Sequence, residues 1–448
     1  MIRILIIRHG RTAWNVGTGQ GERFRGVIDL PLADEGLVQA QITARRLAAE
    51  PLAGIYSSPL QRAAHTAHIL AAPHGLAVQT LPGLGSMNYG DWAGQTHADV
   101  ARRWPELYRQ WRRDPFSVRI PGGESAADLR DRALAALHQA LERHTDGQTI
   151  ALVSHQVVTK TLVCALAGLP NTAYWHVHQD LCSLNRFDYD PAGRFLVIGL
   201  NDTCHLVPAL PRARGEGTRL VLIRHGQTAW NEGAGQERFR GRTDLPLDET
   251  GQAQARAVAA RLAGESFAAL YSSPLLRARQ TLAPLADGLG LPVLPHDGLL
   301  DIHYGEWQGL THAQAAAAWP ELYALWRTTP SRVQLPGGES LADVQARLRS
   351  LLDELVARHP GQTVALVGHQ MVNKVLACTL LGLDLDQIGR VRQDTAGLSV
   401  FQWGGDAWHT LSLNDTCHLA MPAGSHFGAG FSDRLRGARD LKAAEPGI

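Results

Sequence analysis

Apolar side chains run almost unbroken from Ile2 to Ile7 and again from Leu220 to Ile223, and each run stops at the same tripeptide, Arg8-His9-Gly10 and Arg224-His225-Gly226. A short run without polar alternation is the pattern of a strand buried on both faces, as in a parallel sheet covered by helices. From Leu32 to Glu50 the apolar positions take helical spacing after a proline-containing turn, and Gly54 to Ser57 returns to a short strand. Ser58-Pro59 then reads as a helix N-cap with proline at the first helical position, which puts Arg62 one turn into that helix, near its positive end. Thr96 to Arg113 and Ser125 to Arg143 have helical spacing on either side of the turn Pro121-Gly122-Gly123-Glu124-Ser125. A second continuous apolar strand, Thr149 to Val153, delivers His155 at its tip, ahead of a helix from about Val157 to Leu166. Elements alternating in this way predict a three-layer α/β/α domain with a mostly parallel central sheet.

The whole pattern occurs twice. Arg62 recurs as Arg277, Pro121 as Pro336 and His155 as His369, and the register slips only at loops. Each copy is far too long for a solenoid unit, so the chain reads as two tandem domains of one fold, 1–207 and 218–423. Between them, 208–217 is rich in proline, glycine and arginine and reads as a linker, while 424–448 has no apolar period and reads as a flexible tail. Two fused copies can also pack against each other as a pseudo-dimer, in the way identical subunits do.

Composition narrows the function classes. The chain has 448 residues, 45% of them hydrophobic, and a formal charge of +1, which suits a globular protein with more than one core. With no broad basic field, nucleic acid is not expected as a partner. A membrane is not expected either, because no apolar run reaches the length of a span and Met1 to Ile7 is too short for a secretory signal. The five cysteines form no Cys-x-x-Cys pair, and four stand at equivalent places, Cys164 with Cys378 and Cys204 with Cys417. They read as unpaired core thiols in a reducing compartment, so a cytoplasmic location is expected.

An arginine and a histidine pushed off the carboxyl end of a buried strand stand where open α/β sheets bind ligands. Guanidinium grips phosphate in a bidentate fork and a neutral imidazole can attack phosphorus, so Arg8-His9 and Arg224-His225 point to phosphoryl chemistry. The longer motifs are Arg8 to Asn15, Tyr56 to Ala63, Tyr89 to Gly94, Pro121 to Ser125 and Val153-Ser154-His155, repeated at Arg224 to Asn231, Tyr271 to Ala278, Tyr304 to Gly309, Pro336 to Ser340 and Val367-Gly368-His369. In these the chain resembles the histidine phosphatase superfamily, with its phosphoglycerate mutase-like fold, over nearly all of both copies. The resemblance implies ping-pong phosphoryl transfer through a phosphohistidine. His9 and His225 would be the nucleophiles, Arg8 with Arg62 and Arg224 with Arg277 would hold the phosphoryl oxygens, and His155 and His369 would donate to the transferring group. Asn15 and Asn231 match a position that bonds a phosphate oxygen. Such a site calls for neither a metal nor another cofactor, because the arginines supply the counter-charge.

The departures from the pattern separate the copies. Where the family carries a glutamate as general acid, the second copy has Asp301 and the first has Ser86, which cannot supply a proton in the same way at neutral pH. The second copy is therefore expected to carry most of the turnover, with Asp91 or Glu124 as conceivable substitutes in the first. Arg25 and Arg240 suggest either a second anionic group on the substrate or an ion pair at the surface. Of the arginines on the Thr96–Arg113 segment, a solvated face is the simpler account, and Trp104, Trp111, Trp319 and Trp326 read as packing residues. His65 and His68 read as surface residues, and Asp202 and Asp415 either orient a catalytic histidine or stabilise a strand-end turn. The leading function is a phosphatase acting on a small phosphorylated metabolite. The alternatives are a mutase, which must keep its phosphohistidine dry, and a phospho-ligand-binding regulator with a degenerate first domain.

Overall fold

In the computed structural model, residues 1–15, 23–207, 209–213, 215–231 and 238–419 are described. The 424–448 segment and parts of the 208–217 linker lie outside them. The first half contributes β1 (Ile2–Arg8), β2 (Leu52–Ser57), β3 (Val78–Thr80), β4 (Thr149–Ser154), β5 (Leu184–Tyr189) and β6 (Phe195–Asp202). The second repeats them as β7 (Arg219–Arg224), β8 (Ala269–Ser272), β9 (Val293–Pro295), β10 (Thr363–Gly368), β11 (Leu398–Trp403) and β12 (Trp408–Asp415). All lie in a 12-stranded sheet of order β3-β2-β4-β1-β5-β6-β12-β11-β7-β10-β8-β9. Within the first half β3, β2, β4 and β1 pair in parallel, and only β5 runs against them.

Strand β1 is central and buried on both sides, as its unalternating sequence requires. Leu5 and Ile7 face Leu47, Ala63, Ala67 and Leu70 on helices Asp34–Leu47 and Gln61–Ala71. Ile4 and Ile6 face Leu129, Leu137 and Leu162 on helices Ala126–Leu141 and Gln156–Ala167. Each such aliphatic side chain contributes about 1.5–3 kcal/mol by leaving water, so the frame around the strand tip is rigid.

The halves meet where β6 pairs antiparallel with β12, Leu200 opposite Leu413. Two flanking bridges, Val177 with Thr410 and Val197 with Val391, extend the join. Antiparallel pairing of equivalent strands places a pseudo-twofold axis through the join. Strands β1 and β7 therefore run in opposite directions, and their carboxyl ends lie at opposite edges of the sheet.

Three local expectations need correction. The Thr96–Arg113 segment is two helices, His97–Arg103 and Pro105–Arg113. Pro105 has no N–H for the ladder and forces Trp104 out of helical geometry, at φ −132°. Ser58 does not cap a helix, since Gln61–Ala71 begins after Leu60, which makes no side-chain cap bond. Finally, Cys204 and Cys417 are not unpaired thiols but form a disulfide between the halves, while Cys164, Cys182 and Cys378 are free and buried. Each bonded cysteine follows its strand at the join, so the axis that relates the repeats brings equivalent positions together.

Candidate phosphoryl-transfer site

At the tip of β1, His9 N–H donates to the Ser154 carbonyl (2.9 Å), which fixes the loop against the end of β4. Gly10 follows because a side chain there would meet the backbone: its Cβ would stand 2.5 Å from the Gly36 carbonyl oxygen. The loop thus turns tightly enough for His9 Nδ1 to reach the Gly10 carbonyl oxygen at 2.6 Å. A carbonyl only accepts, so Nδ1 carries the proton and Nε2 presents a lone pair. His225 does the same with Gly226, also at 2.6 Å, and its Nε2 is buried without a hydrogen-bond partner.

The predicted residues converge. The His9 and His155 rings lie 5.3 Å apart between centroids, and those of His225 and His369 5.2 Å apart. Arg8 Nη1 donates to the Gln179 carbonyl (2.6 Å) and Arg224 Nη1 to that of Gln393 (2.7 Å). Arg62 is anchored by the Ile28 and Gly26 carbonyls (2.8 and 2.9 Å), and Arg277 by those of Thr243 and Gly241 (2.7 and 2.8 Å). Ser58 Oγ lies 2.7 Å from His155 Nε2 and Ser273 Oγ 2.8 Å from His369 Nε2, so the serine of each Ser-Pro holds the second histidine. Each of these serine oxygens also accepts a backbone N–H, from Leu60 or Leu275.

Burial, ahead of the charges of Arg8 and Arg62, holds the His9 imidazole well below its ordinary value. His225 is held down likewise, by burial and then by Arg277 and Arg224. Both nucleophile candidates are neutral at pH 7. Asp301 moves in the other direction. Burial raises its carboxyl although Arg277 and Arg240 favour the charged form. Its Oδ2 lies 3.3 Å from Arg277 Nη2 and 3.8 Å from His369 Nδ1, which puts a carboxyl of raised proton affinity inside the cluster.

The cavities differ. The first, about 290 Å³, is lined by Arg8, His9, Arg25, Arg62, Ser86 and His155. The second, about 760 Å³, is lined by Arg240, Asp301, Arg327 and Lys374, and also by Arg194 and Phe195 of the first half. His225 and His369 do not line it and are fully buried, so Asp301, which touches Arg277, forms its inner wall. Trp175 lines the first cavity beside Trp111 (4.8 Å) and Arg112 (5.5 Å), whereas the equivalent position lining the second is Gly389.

Arg25 and Arg240 line their cavities, and Arg240 Nη1 donates to the Trp230 carbonyl (3.0 Å), which places both at the site and not on an outer surface. Asn15 Oδ1 accepts from Thr12 N and Oγ1 (3.0 and 2.8 Å), and Asn231 from the equivalent atoms of Thr228 (2.9 and 2.9 Å), which leaves each amide NH₂ as the donor. Neither asparagine is among the residues that line these two cavities. Glu124 is held by Arg132 and the Asn88 N–H, and Asp91 is exposed, so neither replaces the missing acid beside Ser86. Asp202 makes no bond to a catalytic histidine: it accepts from Cys204 N (3.1 Å) and pairs with Arg186 (2.7 Å), as a strand-end brace. His65 and His68 are exposed, and the packing tryptophans Trp111 and Trp326 also wall the cavities.

Sequence reasoning gives no role to Lys160 and Lys374, which line the two cavities, or to Asn201 and Asn414, although both pairs recur in the repeat. The two asparagines sit at φ 52° and 53°. Asn201 accepts from Asp180 N (2.7 Å) and donates to the Leu411 carbonyl across the join (2.6 Å); Asn414 accepts from Asp394 N (2.8 Å) and donates to that of Ile198 (2.7 Å). Each therefore pins the loop whose preceding carbonyl, Gln179 or Gln393, holds Arg8 or Arg224. The available signal was an asparagine closing a strand in both repeats, a residue type tolerant of left-handed backbone.

In both halves an arginine pair thus surrounds a strand-tip histidine that a second histidine faces. The histidine phosphatase superfamily (branch 1) matches residues 4–203 and 220–416, and the chain belongs to that family. It is similar to phosphoserine phosphatase 1 of Hydrogenobacter thermophilus, 35% identical over 201 residues that cover 45% of this chain and 94% of the relative. It is also similar to the "Probable phosphoglycerate mutase GpmB" of Yersinia pestis, 33% identical with 47% and 98% covered. Among solved structures, mycobacterial glucosyl-3-phosphoglycerate phosphatase is 34% identical over 44% of this chain and 99% of its own, with a TM-score of 0.40. Phosphatases thus stand among its relatives. Among the described residues no helix is long and apolar enough to cross a membrane.

Proposed function

We propose that the chain hydrolyses small phosphomonoesters through a phosphohistidine, and that the second half carries most of the turnover. The observation that carries this reading is the Nδ1–H bond of His225 to its neighbouring carbonyl, which leaves a neutral, unpartnered Nε2 beside two anchored arginines. The substrate phosphate displaces the Asp301 carboxyl from Arg277 and lies between Arg224, Arg277 and His369. His225 Nε2 forms a bond to phosphorus as the ester P–O bond breaks, and the departing alkoxide takes the Asp301 proton. Water then attacks the phosphohistidine, its proton passes to the Asp301 carboxylate, and phosphate leaves with His225 neutral again. With the Ser273 hydroxyl donating to His369 Nε2, His369 Nδ1–H faces the phosphoryl oxygens. Positioning and charge stabilisation supply most of the catalysis in such a transfer.

The first half has the same nucleophile and clamps but Ser86 in place of the acid, so it is slow on alkyl phosphates. The deciding experiment is a panel of phosphomonoesters that includes phosphoserine and phosphoglycerates, run with and without a bisphosphate primer. Free phosphate without primer supports a phosphatase, primer-dependent isomerisation a mutase, and binding without turnover a regulator.

A further inference from the structure

The tetrapeptide Asp-Thr-Cys-His occurs at 202–205 and again at 415–418. Because β6 and β12 pair across the pseudo-twofold axis, these copies are brought face to face. Donor atoms of Cys204, Cys417 and Asp415 lie within 4.8 Å of one another, and those of Cys204, Asp202 and His205 do so as well. All but His205 are buried. Cys204 belongs to both groups, so its sulfur has a second sulfur, two carboxylates and an imidazole within 4.8 Å at the join. Nothing in the phosphoryl-transfer reading uses them.

We propose that in the reduced chain Cys204 and Cys417, with Asp415 and His205 completing a shell of four and Asp202 beside it, hold a thiophilic divalent cation of the zinc class at the join. The donor set suits that ion, which takes sulfur, nitrogen and carboxylate ligands in fours. The charge suits it too. Arg186 pairs with Asp202 at 2.7 Å and Arg261 lies 3.6 Å from Asp415, so the carboxylates are already balanced. A dication then balances the two thiolates and no net charge is buried. The sulfurs need part only to about 3.8 Å, the edge of a tetrahedron with arms of about 2.3 Å. Each carboxylate keeps lone pairs after its backbone and arginine contacts.

The disulfide and the bound cation are alternative states of one sulfur pair. A dithiol reductant delivers two electrons and two protons to the S–S bond and is itself oxidised to a disulfide. The cation then forms two metal–sulfur bonds and releases the two thiol protons to solvent. The metal thereby takes over the cross-link between the halves that reduction removes.

The test uses the full chain, reduced with a phosphine, freed of reductant and titrated anaerobically with Co²⁺. Expected are one tightly bound equivalent, thiolate-to-cobalt absorption in the near ultraviolet, and visible bands of tetrahedral intensity that Zn²⁺ abolishes. The oxidised chain should show none of these. Cys204→Ser should lose the charge-transfer band, and Asp415→Asn should weaken binding at least about tenfold. Should the serine variant fail to fold, the comparison of reduced with oxidised wild type decides alone. The proposal is overturned if the reduced chain, folded by circular dichroism and shown by thiol titration in denaturant to carry free sulfurs at both positions, gives no cobalt–thiolate band. It is equally overturned if the band persists unchanged in folded Cys204→Ser.

Discussion

Asp301 is where the two halves differ most in chemistry, and one side chain sets the expected division of labour. Burial raises its carboxyl, so it keeps a proton to a higher pH than an exposed aspartate and can pass it to a departing alkoxide. Activity that needs this proton is present below the raised value and lost as pH climbs through it. Asp301→Asn should therefore lower kcat/KM on alkyl phosphates by about 10²–10⁴-fold and remove the basic limb of the profile. p-Nitrophenyl phosphate, whose leaving group needs no proton, should be little affected. Equal loss on both substrates would assign Asp301 a purely structural part. At this scale the sequence was informative: His9, Arg62, His155 and their repeats fall together because each sits at a strand tip or in the first helical turn, positions that local pattern fixes. The partner of His155 was not legible. Ser58-Pro59 has the composition of a helix start, and only the fold reveals that its hydroxyl faces an imidazole from another strand.

Among the elements, the loops after Gln179 and Gln393 do more than connect. They supply the carbonyls that orient Arg8 and Arg224, and Asn201 and Asn414 pin them to the opposite half. Asn414 holds φ 53°, a conformation that costs an ordinary L-residue about 1–2 kcal/mol. Asn414→Ala should then be less stable in denaturant unfolding than Asn414→Gly by roughly that amount, although both lose the same side-chain bonds. Equal stability of the two variants would remove backbone strain from the account. Helices and strands were readable from periodicity, but their interruptions and loop contacts were not all given weight. Pro105 divides a segment whose spacing alone reads as one helix. Trp175, opposite Gly389 in the repeat, sits in the short 3-10 helix Asn171–His176, which carries no periodic signal, yet it lines one cavity.

For the whole molecule, the repeat was plain in the sequence and the way its copies join was not. A sheet edge carries no label for its partner, so neither the β6–β12 ladder nor the Cys204–Cys417 bond could be read from spacing. Burial of imidazoles has a global consequence. His9, His155, His225 and His369 are held well below 6.5 by burial first, and burial pushes His178, His205 and His418 down to about 4. Below about pH 6.5 the unfolded chain binds protons that the folded chain refuses, so this stability is complete above that pH and is lost as pH falls. The slope is about 1.4 kcal/mol per pH unit for each histidine. Asp301 and Asp415, whose carboxyls burial raises, the latter to about 6, act with the opposite sign, as two carboxyls against seven imidazoles. Denaturant unfolding between pH 7.5 and about 5 should show a steep loss of stability, and a flat profile would contradict neutral burial of these rings.

The claim on which the account rests is that His225 takes the phosphoryl group. Brief incubation with a ³²P-labelled phosphomonoester, followed by an alkaline quench, reads this directly through protein-bound label that is stable in alkali and released by acid. The account predicts such label in the wild type and in His9→Ala, and its near-complete loss, together with most turnover, in His225→Ala. Label and turnover that survive in His225→Ala but vanish in His9→Ala would contradict it, as would steady release of phosphate with no labelled protein in any of the three.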